Sequence, residues 1–234
     1  MPEVARLSNS AAPMPPSGSC FVDANRPQFH KIIPTQLRAP MLGCLEWRVG
    51  NLQTEQLMQR RGWVQSVCTT VTTPEQIGGL DAGCERIFIP GEFSRQGDVL
   101  AAAAASGKTI LLERGAFLAP SDMLRAVSKL GVAKDNVVLV ESGSSFGYSD
   151  RVLDPRALEV LASIGCPLAL NLEALTQPSG LPYEHRPQWI ADPAFDTALI
   201  RTAIAFAARY LILPCNRELS QQAAELWLSA RKDN

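Results

Sequence analysis

The chain is poor in the residues that most often carry metal and proton chemistry. It has two histidines, His30 and His185, in 234 residues. That excludes a His-rich metal centre and leaves little material for a histidine general base. Its six cysteines, Cys20, Cys44, Cys68, Cys84, Cys166 and Cys215, contain no C-x-x-C pair. Several lie in apolar segments, where a free thiol behaves as a small hydrophobe. The reading is a reducing, cytoplasmic setting with no disulfide framework. An excess of either charge is also missing: Lys plus Arg is 22 and Asp plus Glu is 23. This near balance carries no electrostatic footprint for nucleic acid. No apolar run approaches the roughly 20 residues of a membrane span. Residues 1–19 hold one Arg and no apolar block, so no secretory signal is expected there.

What is present is hydrophobic residues, at 46%, in a length that suits one α/β barrel-sized domain. Residues 1–18 are rich in Pro, Ser and Ala and read as an irregular lead-in. Residues 19–234 read as a single domain. Strands are expected at Ser19–Val22, Trp63–Cys68, Arg86–Ile89, Thr109–Leu112, Asn136–Val140, Pro167–Leu172 and Tyr210–Leu213, with an eighth candidate at Val4–Ser8. Helices are expected at Leu52–Arg61, Gln96–Ala105, from a Ser121 cap to Leu130, and at Pro155–Ser163, Ala194–Ala208 and Leu219–Ala230. Runs such as Val137-Val-Leu-Val140 are continuous rather than alternating, the mark of parallel strands covered on both faces. Strand and helix alternate as in βα units. On periodicity alone a doubly wound sheet fits as well as a barrel.

Two short motifs are misleading. Ala102-Ala-Ala-Ala-Ser-Gly-Lys-Thr109 matches a relaxed phosphate loop, but its expected order is helix, loop, strand. A phosphate loop needs the reverse, so that a helix N-terminus meets the anion. Gly107 ending a helix, with Lys108 near its negative end, is the plainer reading. Gly143-Ser-Ser-Phe-Gly147 matches a nucleophile elbow, which would make Ser145 a hydrolase nucleophile with His185 and Asp150 or Asp154. The elbow needs a helix at once, and 148–154 intervene. A glycine-rich loop offering Ser144 and Ser145 to a ligand is the alternative.

A larger pattern lies over these fragments. Glu141-Ser-Gly-Ser-Ser-Phe-Gly-Tyr148 followed by Asp154-Pro-Arg156 resembles E-R-G-S-S-F-G-Y…D-M-R. Phe21-Val-Asp-Ala-Asn-Arg26 resembles F-D-K-A-N-R, and Ile89-Pro-Gly-Glu-Phe-Ser-Arg-Gln96 resembles I-P-A-F-L-x-R-Q. Phe117-Leu-Ala-Pro-Ser-Asp-Met123 resembles the segment after a lysine-bearing strand. All four are motifs of the 3-deoxy-manno-octulosonate-8-phosphate synthase family, and the likeness runs from about residue 19 to about 213. The resemblance implies an α/β fold, a (β/α)8 TIM barrel with room for an incomplete or irregular first strand. It places a site at the C-terminal ends of the strands.

The family condenses phosphoenolpyruvate with a five-carbon sugar phosphate, so its site needs several cations. Here Asp23 stands where the family has Lys, Glu113-Arg114 where it has a Lys pair, and Ser142 where it has a phosphate-binding Arg. Reversed charge beside a phosphate costs several kcal/mol in a shielded site. Leu170-Asn-Leu-Glu-Ala174 replaces F-D-A-T-H, Thr70-Val-Thr72 replaces T-D-V-H, and Leu213-Pro-Cys215 replaces E-V-H. Ala, Leu and Thr cannot hold a divalent metal, so neither metal nor cofactor is expected.

The surviving ligand-binding candidates are Asn25, Arg26, Arg95, Arg114, Ser144 and Ser145. Arg26 and Arg95 could instead form rim salt bridges, for example with Glu92 or Asp98, and Glu141 could be a structural partner. Glu113 and Glu173 are the acid–base candidates if burial raises a pKa. The expected function is a degenerate, non-condensing barrel that keeps a pocket for a small sugar phosphate or sugar acid, or serves as a subunit or scaffold. The alternative is an active, rewired aldolase-type transferase or lyase joining phosphoenolpyruvate or a related acid to a sugar phosphate. The resemblance also implies a homo-oligomer, with no nucleic-acid or membrane partner.

Overall fold

The computed structural model describes residues 19–23, 44–47, 67–80, 84–145, 150–176 and 193–214. Among them are strands β1 (Ser19–Asp23), β2 (Cys44–Trp47), β3 (Val67–Thr70), β4 (Cys84–Ile89), β5 (Thr109–Glu113), β6 (Val137–Glu141), β7 (Leu168–Asn171) and β8 (Tyr210–Pro214). The helices are α1 (Pro74–Gly78), α2 (Gly97–Ala105), α3 (Met123–Leu130), α4 (Pro155–Ser163), α5 (Leu172–Thr176) and α6 (Pro193–Ala205). The expected helices at Leu52–Arg61 and Leu219–Ala230 and the candidate strand at Val4–Ser8 lie outside the described residues. Strand β2 was not expected.

Strands β2 to β8 pair in sequence order, each parallel to the next. The sheet curls, and β1 closes the ring by pairing with both β2 and β8. Both of those pairings are antiparallel. The fold is therefore α/β with a curled parallel sheet, and the expected eightfold parallel ring is not regular at its first strand.

Alternation along the strands sorts their side chains into two cores. Cys68, Phe88, Leu111, Val138, Val140, Ala169, Tyr210 and Ile212 fill the inside of the curl. Ile87, Ile89, Ile110, Leu112, Leu139, Leu168 and Leu170 face the helices, where they meet Leu100, Met123, Val127, Leu158 and Leu161. Burial on both faces explains the unbroken apolar runs. Each fully buried Leu or Ile contributes about 1.5–3 kcal/mol.

Local signals set the helix ends. Asp154 caps α4 by accepting from the Arg156 N–H at 3.0 Å, and Pro155 occupies its first turn. Helix α3 buries Met123, Ala126, Val127 and Leu130, one stripe at i, i+3, i+4 and i+7, and Gly131 follows at φ +63°. Ser121 is not its cap: Pro120–Asp122 form a 3-10 turn first, because Pro120 sets that turn's φ and α3 begins at Met123. The expected strand Pro167–Leu172 ends sooner, at Asn171. Its Oδ1 accepts from the Ala174 N–H at 3.1 Å and so turns Leu172–Thr176 into α5.

Among the described residues no helix is long and apolar enough to cross a membrane. Cys68, Cys84 and Cys166 are buried. Burial pushes the Cys166 thiol above its ordinary range.

Candidate functional site

The inward alternation ends, at the C-terminal side of the parallel strands, on polar residues. Thr70 closes β3, Glu113 closes β5 and Asn171 closes β7, and Ser142 follows Val140 just past β6. Below them the interior is apolar, so these four form the polar cap of the curl.

Glu113 is only 3% exposed. Its Oε2 accepts from the Gly91 N–H at 2.9 Å, and its Oε1 faces Arg151 Nη1 at 3.4 Å. The Gly91 contact depends on glycine. A Cβ there would lie 2.6 Å from Gly115 Cα, so the loops after β4 and β5 meet backbone to backbone. Arg151 reaches Glu113 because the segment after β6 folds back on itself. Ser144 and Val152 exchange backbone hydrogen bonds of 2.9 and 2.8 Å. Gly143 makes the bend at φ +82°, where a Cβ would stand 2.7 Å from Leu175 Cδ2. Arg151 Nη1 also lies 3.4 Å from the Ser142 carbonyl oxygen.

Three donors in this cap are unused, one of them Thr70 Oγ1 at the end of β3. Ser142 and Asn171 are fully buried, and neither Ser142 Oγ nor Asn171 Nδ2 has a hydrogen-bond partner. Each orphaned buried group costs about 1–3 kcal/mol, so two on neighbouring strands call for a reason.

Arg114 occupies the other face. It continues the outward alternation of Ile110 and Leu112 and is 2% exposed. Its Nε meets Glu141 Oε2 at 2.7 Å and its Nη2 meets Glu141 Oε1 at 2.5 Å. Nη1 donates to the Leu118 and Gly115 carbonyls at 2.7 and 3.1 Å, and Nη2 also donates to Ser144 Oγ at 3.0 Å. Every nitrogen of this guanidinium has a protein partner, which leaves nothing for a ligand. Glu141 is thus a buried ion-pair partner, one of the two roles open to it from sequence. Ser145 is held through its backbone, donating to Ala116 O at 3.4 Å.

The remaining candidates are scattered. Arg95 is exposed beyond β4 and forms no ion pair with Glu92 or Asp98. Glu173 is half-buried in the first turn of α5. Asn25, Arg26, His185, Phe146 and Tyr148 lie outside the described residues. Asp23 pairs with Tyr210 at the start of β8, because β1 runs antiparallel. It therefore sits at the end of the sheet opposite Glu113 and Asn171, away from the polar cap where the resemblance put it.

Neither misleading motif acquires the geometry it would need. Residues 102–109 are the end of α2 followed by β5, and the Lys108 ammonium donates to the Cys84 carbonyl. Ser145 follows β6, and the next helix among the described residues starts at Pro155. Among the described residues no three of His, Cys, Asp and Glu gather as metal ligands.

No family model matches the chain. Curated relatives do. A 2-dehydro-3-deoxyphosphooctonate aldolase of Mesorhizobium japonicum is 42% identical over 123 residues, which cover 52% of this chain and 44% of that protein. Its counterpart in Rhizobium meliloti is 39% identical over 116 residues, 49% of this chain and 41% of the relative. That of Caulobacter vibrioides is 43% identical over 96 residues, 40% and 33%. Over about half of its length the chain is similar to 2-dehydro-3-deoxyphosphooctonate aldolases. This is the family, under its other name, that the motifs resemble. The chain spans less than half the length of the curated relatives it matches.

Against the aldolase pattern two residues at the polar cap went unnoticed in the sequence. Arg151 lies nine residues past Ser142 in no motif, and only the fold-back at Ser144 and Val152 brings it home. Asn171 was visible as the Asn of Leu170-Asn-Leu-Glu-Ala174, but its free amide follows from its helix-capping geometry.

Proposed function

We propose that this chain is a divergent aldolase-family barrel that does not condense phosphoenolpyruvate with a sugar phosphate, and that its polar cap receives a small sugar-type ligand. The architecture behind this reading is a partial (β/α)8 barrel, seven strands of which keep the parallel order. The observation that carries it is the fate of the Lys pair that the resemblance implies on β5. Glu113 puts a buried carboxylate, held by Gly91 and Arg151, at the inward position. Arg114 spends its charge on Glu141 behind the sheet. Among the described residues a dianionic phosphate at the cap would meet one cation, already shared with a carboxylate, and a second carboxylate-bearing substrate would find none. Stabilising developing charge is usually the largest catalytic term, and it requires donors free to point at the reacting group.

The test is turnover. The purified full chain is incubated with phosphoenolpyruvate and a panel of aldose phosphates, and released inorganic phosphate is followed with time. No saturable release above the protein-free control is expected. Saturable turnover with any of them would overturn the reading and restore a rewired transferase or lyase. Cytoplasmic location and self-association belong to the same proposal, and sedimentation of the purified chain addresses the second.

A further inference from the structure

We propose that Ser142, Asn171 and Arg151 form a binding site for a single carboxylate group on a small uncharged body, and that Glu113 excludes doubly charged phosphates from it. This deepens the function proposed above and rests on it. Two observations carry it independently of the sequence motifs. The first is a neighbouring pair among the cap's three orphaned donors. Ser142 Oγ and Asn171 Nδ2 are fully buried, unpartnered, and stand at the C-terminal ends of neighbouring strands β6 and β7. Both can donate, and together they suit an acceptor group lying across the two strand ends.

The second is the looseness of Arg151. Its side chain is 28% exposed, and its contacts to Glu113 Oε1 and Ser142 O are both 3.4 Å. Charge-assisted bonds between guanidinium and carboxylate normally close to about 2.7–2.9 Å. Among the described residues Arg151 is therefore a cation near the cap without a tight partner. A carboxylate entering beside it would exchange two long contacts for bonds of normal length and would use the two idle donors.

Charge sets the selectivity. Among the described residues Arg151 and Glu113 sum to zero at the cap, so one added negative charge is offset by Arg151 while a second is not. Glu113 is held in place by the Gly91 N–H and cannot withdraw without losing that bond. A monocarboxylate fits this balance, and a phosphate dianion does not.

The experiment compares three probes that share one body: glycerol, glycerate and 3-phosphoglycerate. Each is titrated into the full-length protein by calorimetry, with circular dichroism to establish that every variant is folded. Saturable binding of glycerate is expected, with glycerol and 3-phosphoglycerate each at least about tenfold weaker, the scale of one charge-assisted hydrogen bond. R151Q, a change at a partly exposed side chain, is expected to weaken glycerate about tenfold or more. S142A and N171A should each weaken it several-fold, and E113Q should narrow the gap between glycerate and 3-phosphoglycerate. Absence of glycerate binding, equal or tighter binding of 3-phosphoglycerate, or unchanged affinity in R151Q would overturn the assignment. Failure here and failure of the proposed function are distinct: turnover of phosphoenolpyruvate refutes the latter whatever glycerate does, and an inert protein that ignores glycerate refutes only this site.

Discussion

Removing the Arg114 guanidinium should do more damage than any other single surface-directed or site-directed change near the cap. The side chain is 2% exposed and its partner Glu141 is fully buried. In R114A the Glu141 carboxylate would keep, among the described residues, only the Gly143 N–H, at 2.8 Å, as a partner. Stripping one member from a buried pair costs about 3–5 kcal/mol, because the other charge stays out of water uncompensated. The Leu118 and Gly115 carbonyls and Ser144 Oγ lose a donor as well. For a chain of this size 1 kcal/mol moves Tm by about 2–4 °C, so R114A should melt about 6–20 °C below the parent. R114K should also lose stability, since an ammonium cannot reproduce the two-pronged contact to Oε1 and Oε2. The double variant R114M/E141L removes both charges. It should recover to within about 2 kcal/mol of the parent, the remainder reflecting the Gly143 N–H and the carbonyls left unpaired. Urea unfolding followed by circular dichroism gives all three values. If R114A lies within about 1 kcal/mol of the parent, the pair behaves as an exposed one and the reasoning fails.

Two further outcomes follow from other contacts. G91A places a methyl 2.6 Å from Gly115 Cα and 2.8 Å from its nitrogen, both backbone atoms, and should cost about 2–4 kcal/mol through overpacking and loss of the bond to Glu113. A urea midpoint equal to the parent's would show that the two loops have slack. Asp154 caps α4 and is paired with Arg156, which holds its carboxyl below the usual range. A depressed folded pKa stabilises above the unfolded value near 3.9 and is lost as pH falls through the folded one. D154A should therefore cost about 1 kcal/mol at pH 7, and its Tm gap to the parent should close below about pH 4. A gap that persists at pH 2 would mean that the carboxylate's charge is not what caps the helix.

Much of the framework was legible from local pattern. Continuous apolar runs mark β4 to β8 because strands covered on both faces need apolar residues at every position. Helix α4 was placed to the residue, since Asp154 and Pro155 carry their own start signal. Strand β2 was missed because Cys44-Leu-Glu-Trp47 mixes apolar and charged residues over only four positions. The end of β7 was misplaced because Asn171 acts through its side chain, capping a helix that the apolar Leu170 and Leu172 disguise.

The polar cap is a different kind of object. From the sequence came the family resemblance and the residue types at its motif positions: a carboxylate at 113, a hydroxyl at 142, no ligand for a metal at 174. Which of those residues share a space came only from the tertiary structure. Glu113 and Arg114 are adjacent in the chain, yet strand alternation sends one into the curl and the other behind the sheet. Arg114 and Glu141 are 27 residues apart, and Glu113 and Arg151 are 38 apart. The direction of β1, which carries Asp23 to the far end of the sheet, is likewise set by pairing with β2 and β8. Apolar periodicity is a local property that each segment carries alone. Charge pairing and strand direction are settled between segments, by which groups must find partners once water has been excluded.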